Sequence, residues 1–221
     1  MAPLNKKKTS DKSTLYQEVV AANSMYAQTY VAQPEPFARK RAVLLTCMDA
    51  RLLTHNIMGF EAGDMYVIRN AGGRASDDAI RSLVIASALL KAHQFFVVHH
   101  TECGMQRFTD KSIKELLDSS AQQSAAQINY CSATLKKIDN NKDYRYAKVS
   151  NGCQKKASVG YECIDWLTIQ NGLFKSVLED VKRIRNHPLI SLDIPIYGFI
   201  FDVMTGKLIP VNKAMKAGKP Q

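Results

Sequence analysis

The chain has 221 residues, 46% of them hydrophobic, enough to bury a core without help from disulfides or metals. Five cysteines, an odd number, do not form a disulfide framework and fit reduced thiols in a cytoplasmic setting. No run approaches the roughly 18 apolar residues of a membrane span, and MAPLNKKKTSDKS lacks both the apolar centre of a secretory signal and the arginines of a transit peptide.

The net charge of +10 is unevenly placed: +4 in residues 1–41, +5 in 136–156 and +4 in 205–221, leaving −3 for the rest. It reads as solvated tails and a surface loop, and no aromatic–basic pattern or helix-turn-helix supports nucleic-acid binding.

Residues 13–32 have the pattern of an amphipathic helix, closed by Pro34 and Pro36. AVLLTCM (42–48) is a short apolar run of the kind that forms a fully buried strand. A helical turn through RLLTHNIMGF follows, then a break at Gly63–Asp64, a second strand MYVIRN (65–70) and the turn AGG. Asp77 and Asp78 open a helix over 77–91, where acids suit the N-terminal dipole. Its apolar residues Ile80, Leu83, Val84 and Ala88 fall on one face, and Ile85 and Leu89 call for cover on a second.

QFFVVHH (94–100) is the third strand, and 111–126 is a helix. Residues 127–171 are rich in polar residues and form an insert, carrying Cys131, Cys153, Cys163 and the single Trp166. A helix over 172–186 places Leu173, Val177, Val181 and Ile184 on one face and Lys182, Arg183 and Arg185 at its C-terminal end. IYGFIFDV (196–203), the turn TGK and LIPV make a closing hairpin. The expected architecture is one α/β domain over 1–221 with a mainly parallel β-sheet flanked by helices. Residues 1–41 form an N-terminal helical arm to it.

In such sheets functional residues gather beyond the carboxyl ends of the strands. Cys47 ends the first strand, Arg69 and Asn70 the second, His99 and His100 the third. Taken singly, Cys47, Cys103 and His100 read as ordinary buried residues. Together at one sheet edge they make a Cys₂His set, the ligand chemistry zinc prefers, with a fourth position left for water. No C-x-x-C pair of the structural-zinc kind is present. Asp49 and Arg51 follow two and four residues after Cys47. A carboxylate there either binds the metal or accepts a hydrogen bond from its water, and a guanidinium can hold it bidentately.

C-x-D-x-R at Cys47–Asp49–Arg51, H-x-x-C at His100–Cys103 and IRNAGG (68–73) between them resemble the signatures of the β-class carbonic anhydrases. TCMDARL, DDAIRS, HHTECGM and GFIFDVMTGKL resemble the short archaeal- and bacterial-type branch, and the matching segments span 42–110 and 172–211. The resemblance implies a β-carbonic-anhydrase-like sheet flanked by helices, with Zn2+ bound by Cys47, His100 and Cys103. Asp49 is then the fourth ligand in a closed state, or a partner of the reactive water in an open one, and Arg51 draws Asp49 off the metal. Gly72 and Gly73 lie against the substrate pocket. The family assembles as homodimers or dimer-based tetramers, which suits a wrapping arm and the generously apolar helix at 77–91. The stretch PEPFARKRAVLLTC leading into the first strand contains no glutamine, so the pocket is not of the plant type.

The expected activity is zinc-dependent hydration of a small linear heterocumulene, foremost CO2 to bicarbonate. The alternative on the same site is hydrolysis of carbonyl sulfide (COS) to CO2 and hydrogen sulfide, which the same branch of the family includes. A zinc-stabilised basic binding protein is a lesser alternative. A nucleobase deaminase is excluded because the P-C-x-x-C half of its signature is absent. The other three cysteines are non-catalytic in this reading. His93 and His187 are structural or exposed, His55 is a proton-shuttle candidate, and His99 packs behind His100.

Overall fold

A computed structural model describes residues 13–32, 36–125 and 165–221. The chain divides after Pro36 into two units. The first holds helix α1, Leu15–Thr29, whose Thr14 and Gln17 cap each other's backbone N–H groups. None of its residues is buried, and Leu15, Tyr16, Val19, Met25 and Tyr26 are all exposed.

The second unit carries strands β1 (Ala42–Cys47), β2 (Met65–Asn70), β3 (Gln94–His100), β4 (Ile196–Phe201) and β5 (Leu208–Pro210) in one sheet. The order is β2-β1-β3-β4-β5, with the first four parallel and β5 antiparallel to β4. Among the described residues its helices are α2 (Thr54–Met58), α3 (Asp77–Ala88), α4 (Asp110–Ala125), α5 (Leu173–Arg185) and α6 (Asn212–Ala217). The mainly parallel sheet flanked by helices is the architecture expected. No helix among the described residues is long and apolar enough to cross a membrane.

Every residue of β1 is buried, as expected of a strand packed on both faces with no polar alternation. Val43 and Leu45 join Phe95, Val97, Leu83, Val177 and Val181 beneath α3 and α5. Leu44 and Cys47 join Leu52, Met65, Val98, Ile169 and Phe201 on the opposite face. Helix α3 starts at Ser76, whose side chain accepts from the Ala79 N–H, and stops at Ala88, short of the expected 91. Its second apolar side is not covered by the described residues: Ile85 and Leu89 are exposed. Strand β4 stops two residues early because Asp202 turns the chain, its carboxylate accepting from the Met204 N–H and the Thr205 hydroxyl. Cys131, Cys153, Cys163 and all of the polar insert before residue 165 lie outside the described residues.

The chain winds from β1 to β2 on one side, then crosses to β3 on the other. That reversal opens a crevice beyond the carboxyl ends of β1 and β3.

Candidate metal centre

The crevice is where the strand ends deliver Cys47 and His100. Register pairs Thr46 with Val98 across β1 and β3, so the two strands finish together. Beyond β3 the chain turns sharply at Glu102, whose φ of 56° is left-handed, and returns Cys103 beneath the strand ends. One donor atom from each of Cys47, His100 and Cys103 falls within a cluster no wider than 4.8 Å, and all three residues are buried.

The separations suit a tetrahedral ion. The two sulfurs lie 3.9 Å apart, and thiolates each about 2.3 Å from a tetrahedral zinc would lie about 3.8 Å apart. His100 Nδ1 is 2.8 Å from the Thr101 carbonyl oxygen, which can only accept, so Nδ1 carries the proton. Nε2 is left with a lone pair, and among the described residues it is buried without a hydrogen-bond partner. A buried unpartnered nitrogen aimed at two sulfurs is costly unless something binds it. The three residues therefore fit a metal ion.

The thiols lean the same way. The Cys103 hydrogen bond, helped by His100 and the backbone N–H groups of Asp49 and Gly72, lowers the Cys47 pKa to about 4 against the opposing effect of burial. The same sulfur–sulfur contact, with burial, pushes the Cys103 thiol far up. Two thiolates this close repel each other, and a divalent cation is what allows both to be deprotonated.

Asp49 stands at the mouth of the cluster, its Oδ2 3.9 Å from His100 Nε2. Arg51 grips it twice, Nε to Oδ1 at 2.9 Å and Nη2 to Oδ2 at 2.8 Å. These bonds hold the Asp49 carboxyl well below the usual carboxylate range, so it is ionised at any ordinary pH.

The glycine turn after β2 sits behind Cys47. Both Gly72 and Gly73 have left-handed backbones, with φ of 82° and 68°. A Cβ on Gly73 would lie 2.8 Å from the Cys47 nitrogen and the Thr46 carbonyl carbon, and one on Gly72 would lie 3.2 Å from Met105 Cγ. Only glycine lets this turn press against the end of β1.

A family model for carbonic anhydrase matches residues 42–208, which include the whole cluster. The chain belongs to the carbonic anhydrase family, in its β class. Over 91% of this chain and 99% of the other, it superposes on a crystal structure of carbonic anhydrase from Streptococcus mutans, with 31% identity and a TM-score of 0.69. It is 27% identical to β-carbonic anhydrase 1 of Mycobacterium tuberculosis, over 90% of this chain and 99% of the relative. It is 30% identical to a carbon disulfide hydrolase of Acidianus sp., over 79% of this chain and 78% of the relative.

Within this carbonic anhydrase fold, two residues that the motif IRNAGG contains have supporting roles that the motif alone does not give. Arg69 Nε donates to the Cys47 carbonyl at 3.0 Å and its Nη2 to the Asp49 carbonyl at 2.6 Å, fixing the backbone of C-x-D. Its place at the end of β2 and within IRNAGG marks it in the sequence, but neither names this role. Asn70 holds the glycine turn, its Oδ1 accepting from Arg74 N–H at 2.8 Å and its Nδ2 donating to the Arg74 carbonyl at 2.7 Å.

His99 faces away from the cluster, as strand alternation demands. It is fully buried between Asp180 Oδ2 at 3.0 Å and Ser176 Oγ at 3.2 Å. Arg74 Nε donates to the same Asp180 oxygen at 2.7 Å. His55 is half-buried in the last turn of α2, His93 is exposed, and His187 is half-buried and accepts from the Leu189 N–H.

Proposed function

We propose that this carbonic anhydrase family member catalyses the reversible hydration of CO2 to bicarbonate, using Zn2+ held by Cys47, His100 and Cys103. The observation that carries the reading is the orphaned His100 Nε2 facing two buried sulfurs 3.9 Å apart, beside an arginine-clamped aspartate. Zinc, when bound, lowers the pKa of water from about 15.7 to about 7, values known for a three-histidine carbonic anhydrase of a different class.

The chain's residues do the rest. Asp49, permanently ionised by its two bonds from Arg51, accepts a hydrogen bond from the attacking water and aims a lone pair at the substrate carbon. Arg51 keeps the Asp49 carboxylate turned from the ligand atoms, so that water has a place to react. Gly72 and Gly73, packed behind Cys47, leave the pocket wall without side chains in this reading, so that a linear molecule with few polar handles meets little steric hindrance.

The same site suits a second substrate, carbonyl sulfide, whose electrophilic carbon and linear shape match those of CO2. The 30% identity to a carbon disulfide hydrolase favours keeping it. Stopped-flow CO2 hydration and sulfide release from COS, measured on the same zinc-loaded sample, decide between them. CO2 hydration is expected to be the faster; sulfide release faster by an order of magnitude or more would overturn the first choice.

The working form in this reading is a homodimer or a dimer-based tetramer in a reducing, cytoplasmic compartment. Its support is the exposed apolar surface of α1 and α3, together with Met48 and Leu53 beside the site, 66% and 64% exposed in the single chain.

A further inference from the structure

Arg51 is anchored at more than Asp49. Its Nη1 lies 3.2 Å from Glu102 Oε2 and its Nη2 3.4 Å from the Glu102 carbonyl oxygen. Glu102 sits between His100 and Cys103, so this contact ties the C-x-D-x-R segment to the loop that carries two of the three clustered donors. The backbone of Glu102 is left-handed, at φ 56°, a conformation a glutamate adopts only where its surroundings hold it. That turn is what lets one residue offer both its carbonyl and its carboxylate to the same guanidinium.

Arg51 and Glu102 side chains are both about half exposed, at 48% and 53%. An ion pair so open to solvent contributes little to stability. Its consequence is geometric. A guanidinium bound to Asp49 alone can swing with it on a flexible stem; one pinned on its far side by Glu102 cannot follow Asp49 toward the metal ligands.

We propose that Glu102 is a positioning residue for the reaction: it pins Arg51 through Nη1, the guanidinium nitrogen that Nε and Nη2 leave out of the grip on Asp49, and so holds Asp49 off the metal. This rests on reading those three residues as zinc ligands. Glu102 touches neither substrate nor metal and acts wholly through Arg51.

The test uses the full-length protein loaded with zinc, and with cobalt(II) as a spectroscopic substitute, in Glu102→Ala, Glu102→Gly, Glu102→Gln and Arg51→Ala variants. Glycine fits the left-handed backbone, so Glu102→Gly removes the side chain even where alanine disturbs the turn. X-ray absorption at zinc and the cobalt visible spectrum read whether a carboxylate or a water fills the fourth place.

Alanine and glycine are expected to move the shell toward bound carboxylate, in the direction of Arg51→Ala. They should lower kcat per bound zinc roughly five- to tenfold with KM little changed. Glutamine, which keeps an acceptor oxygen, should stay within about twofold of wild type. Wild-type shells and kcat in both the alanine and glycine variants overturn the inference, as does a loss accounted for entirely by zinc content. A wild-type protein that binds no zinc through Cys47, His100 and Cys103 overturns the site reading itself, and the inference with it.

Discussion

Asp49 and Arg51 are joined by two parallel hydrogen bonds, 2.9 Å from Nε to Oδ1 and 2.8 Å from Nη2 to Oδ2, and the Arg51 backbone N–H adds a third to Oδ1 at 2.9 Å. The carboxylate is thereby fixed in orientation as well as charge. Asp49→Ala leaves the Cys47–His100–Cys103 cluster intact but removes the group that, in the proposed reaction, orients the attacking water. Zinc content is expected to stay near one ion per chain while kcat falls on the order of 10²-fold. Metal analysis beside stopped-flow hydration checks both halves; an unchanged rate would exclude the mechanism.

Gly73 presses its α-carbon against the end of β1. Any side chain there meets the Cys47 nitrogen and Thr46 carbon at 2.8 Å, both backbone atoms, and must also accept φ of 68°. Gly73→Ala is expected to cost about 1–3 kcal/mol and to weaken zinc binding by displacing Cys47. Thermal melting of metal-free and zinc-loaded protein measures the two effects, the zinc-induced rise in Tm being smaller in the variant.

The fold was legible where local chemistry agrees with the final packing. AVLLTC has no polar alternation because β1 is covered on both faces, and Ser76 with Asp77 and Asp78 announces α3 through capping and dipole. The glycine pair in IRNAGG was legible because positive φ leaves few other choices.

What stayed hidden are side-chain pairs across long sequence distances, such as Arg51 with Glu102 and Arg74 with Asp180. Nothing in either residue's neighbourhood names its partner until the strand order is known. The expected second cover on α3 fell short for a related reason. Ile85 and Leu89 are apolar, but pattern alone does not say whether the covering surface belongs to the same chain.

The buried Arg74–Asp180–His99 group makes stability depend on pH. Burial pushes the Asp180 carboxyl up, but His99 and Arg74 together outweigh it and hold the group below its ordinary value. A depressed carboxyl contributes stability that is complete above the unfolded value of about 3.9 and lost as pH falls through the folded one. Asp180→Asn leaves buried Arg74 with only the more distant, half-exposed Glu179 at 3.8 Å as a carboxylate partner, which is expected to cost about 3 kcal/mol at neutral pH. Urea denaturation from pH 7 to pH 3 should show the gap between wild type and variant constant down to about pH 4, and narrowing below it. A gap independent of pH throughout would mean that the Asp180 charge is not what stabilises the group.

Helix α1 carries a capping box at its start yet buries none of its 15 residues, and Leu15, Tyr16 and Met25 are each more than 70% exposed. A 15-residue helix is marginal in water without tertiary cover, so its apolar side chains need a surface. A second copy of the chain is the surface the proposed assembly offers. Deleting residues 1–36, up to the boundary between the two units, is then expected to shift the equilibrium toward monomer by at least tenfold in dissociation constant, about 1.4 kcal/mol. The Cys47–His100–Cys103 cluster should still bind zinc. Sedimentation equilibrium measures the first and metal analysis the second. An assembly unchanged by the deletion would show that α1 plays no part in joining the copies, and would leave the exposed face of α3, with Ile85 and Leu89, as the contact to disrupt next.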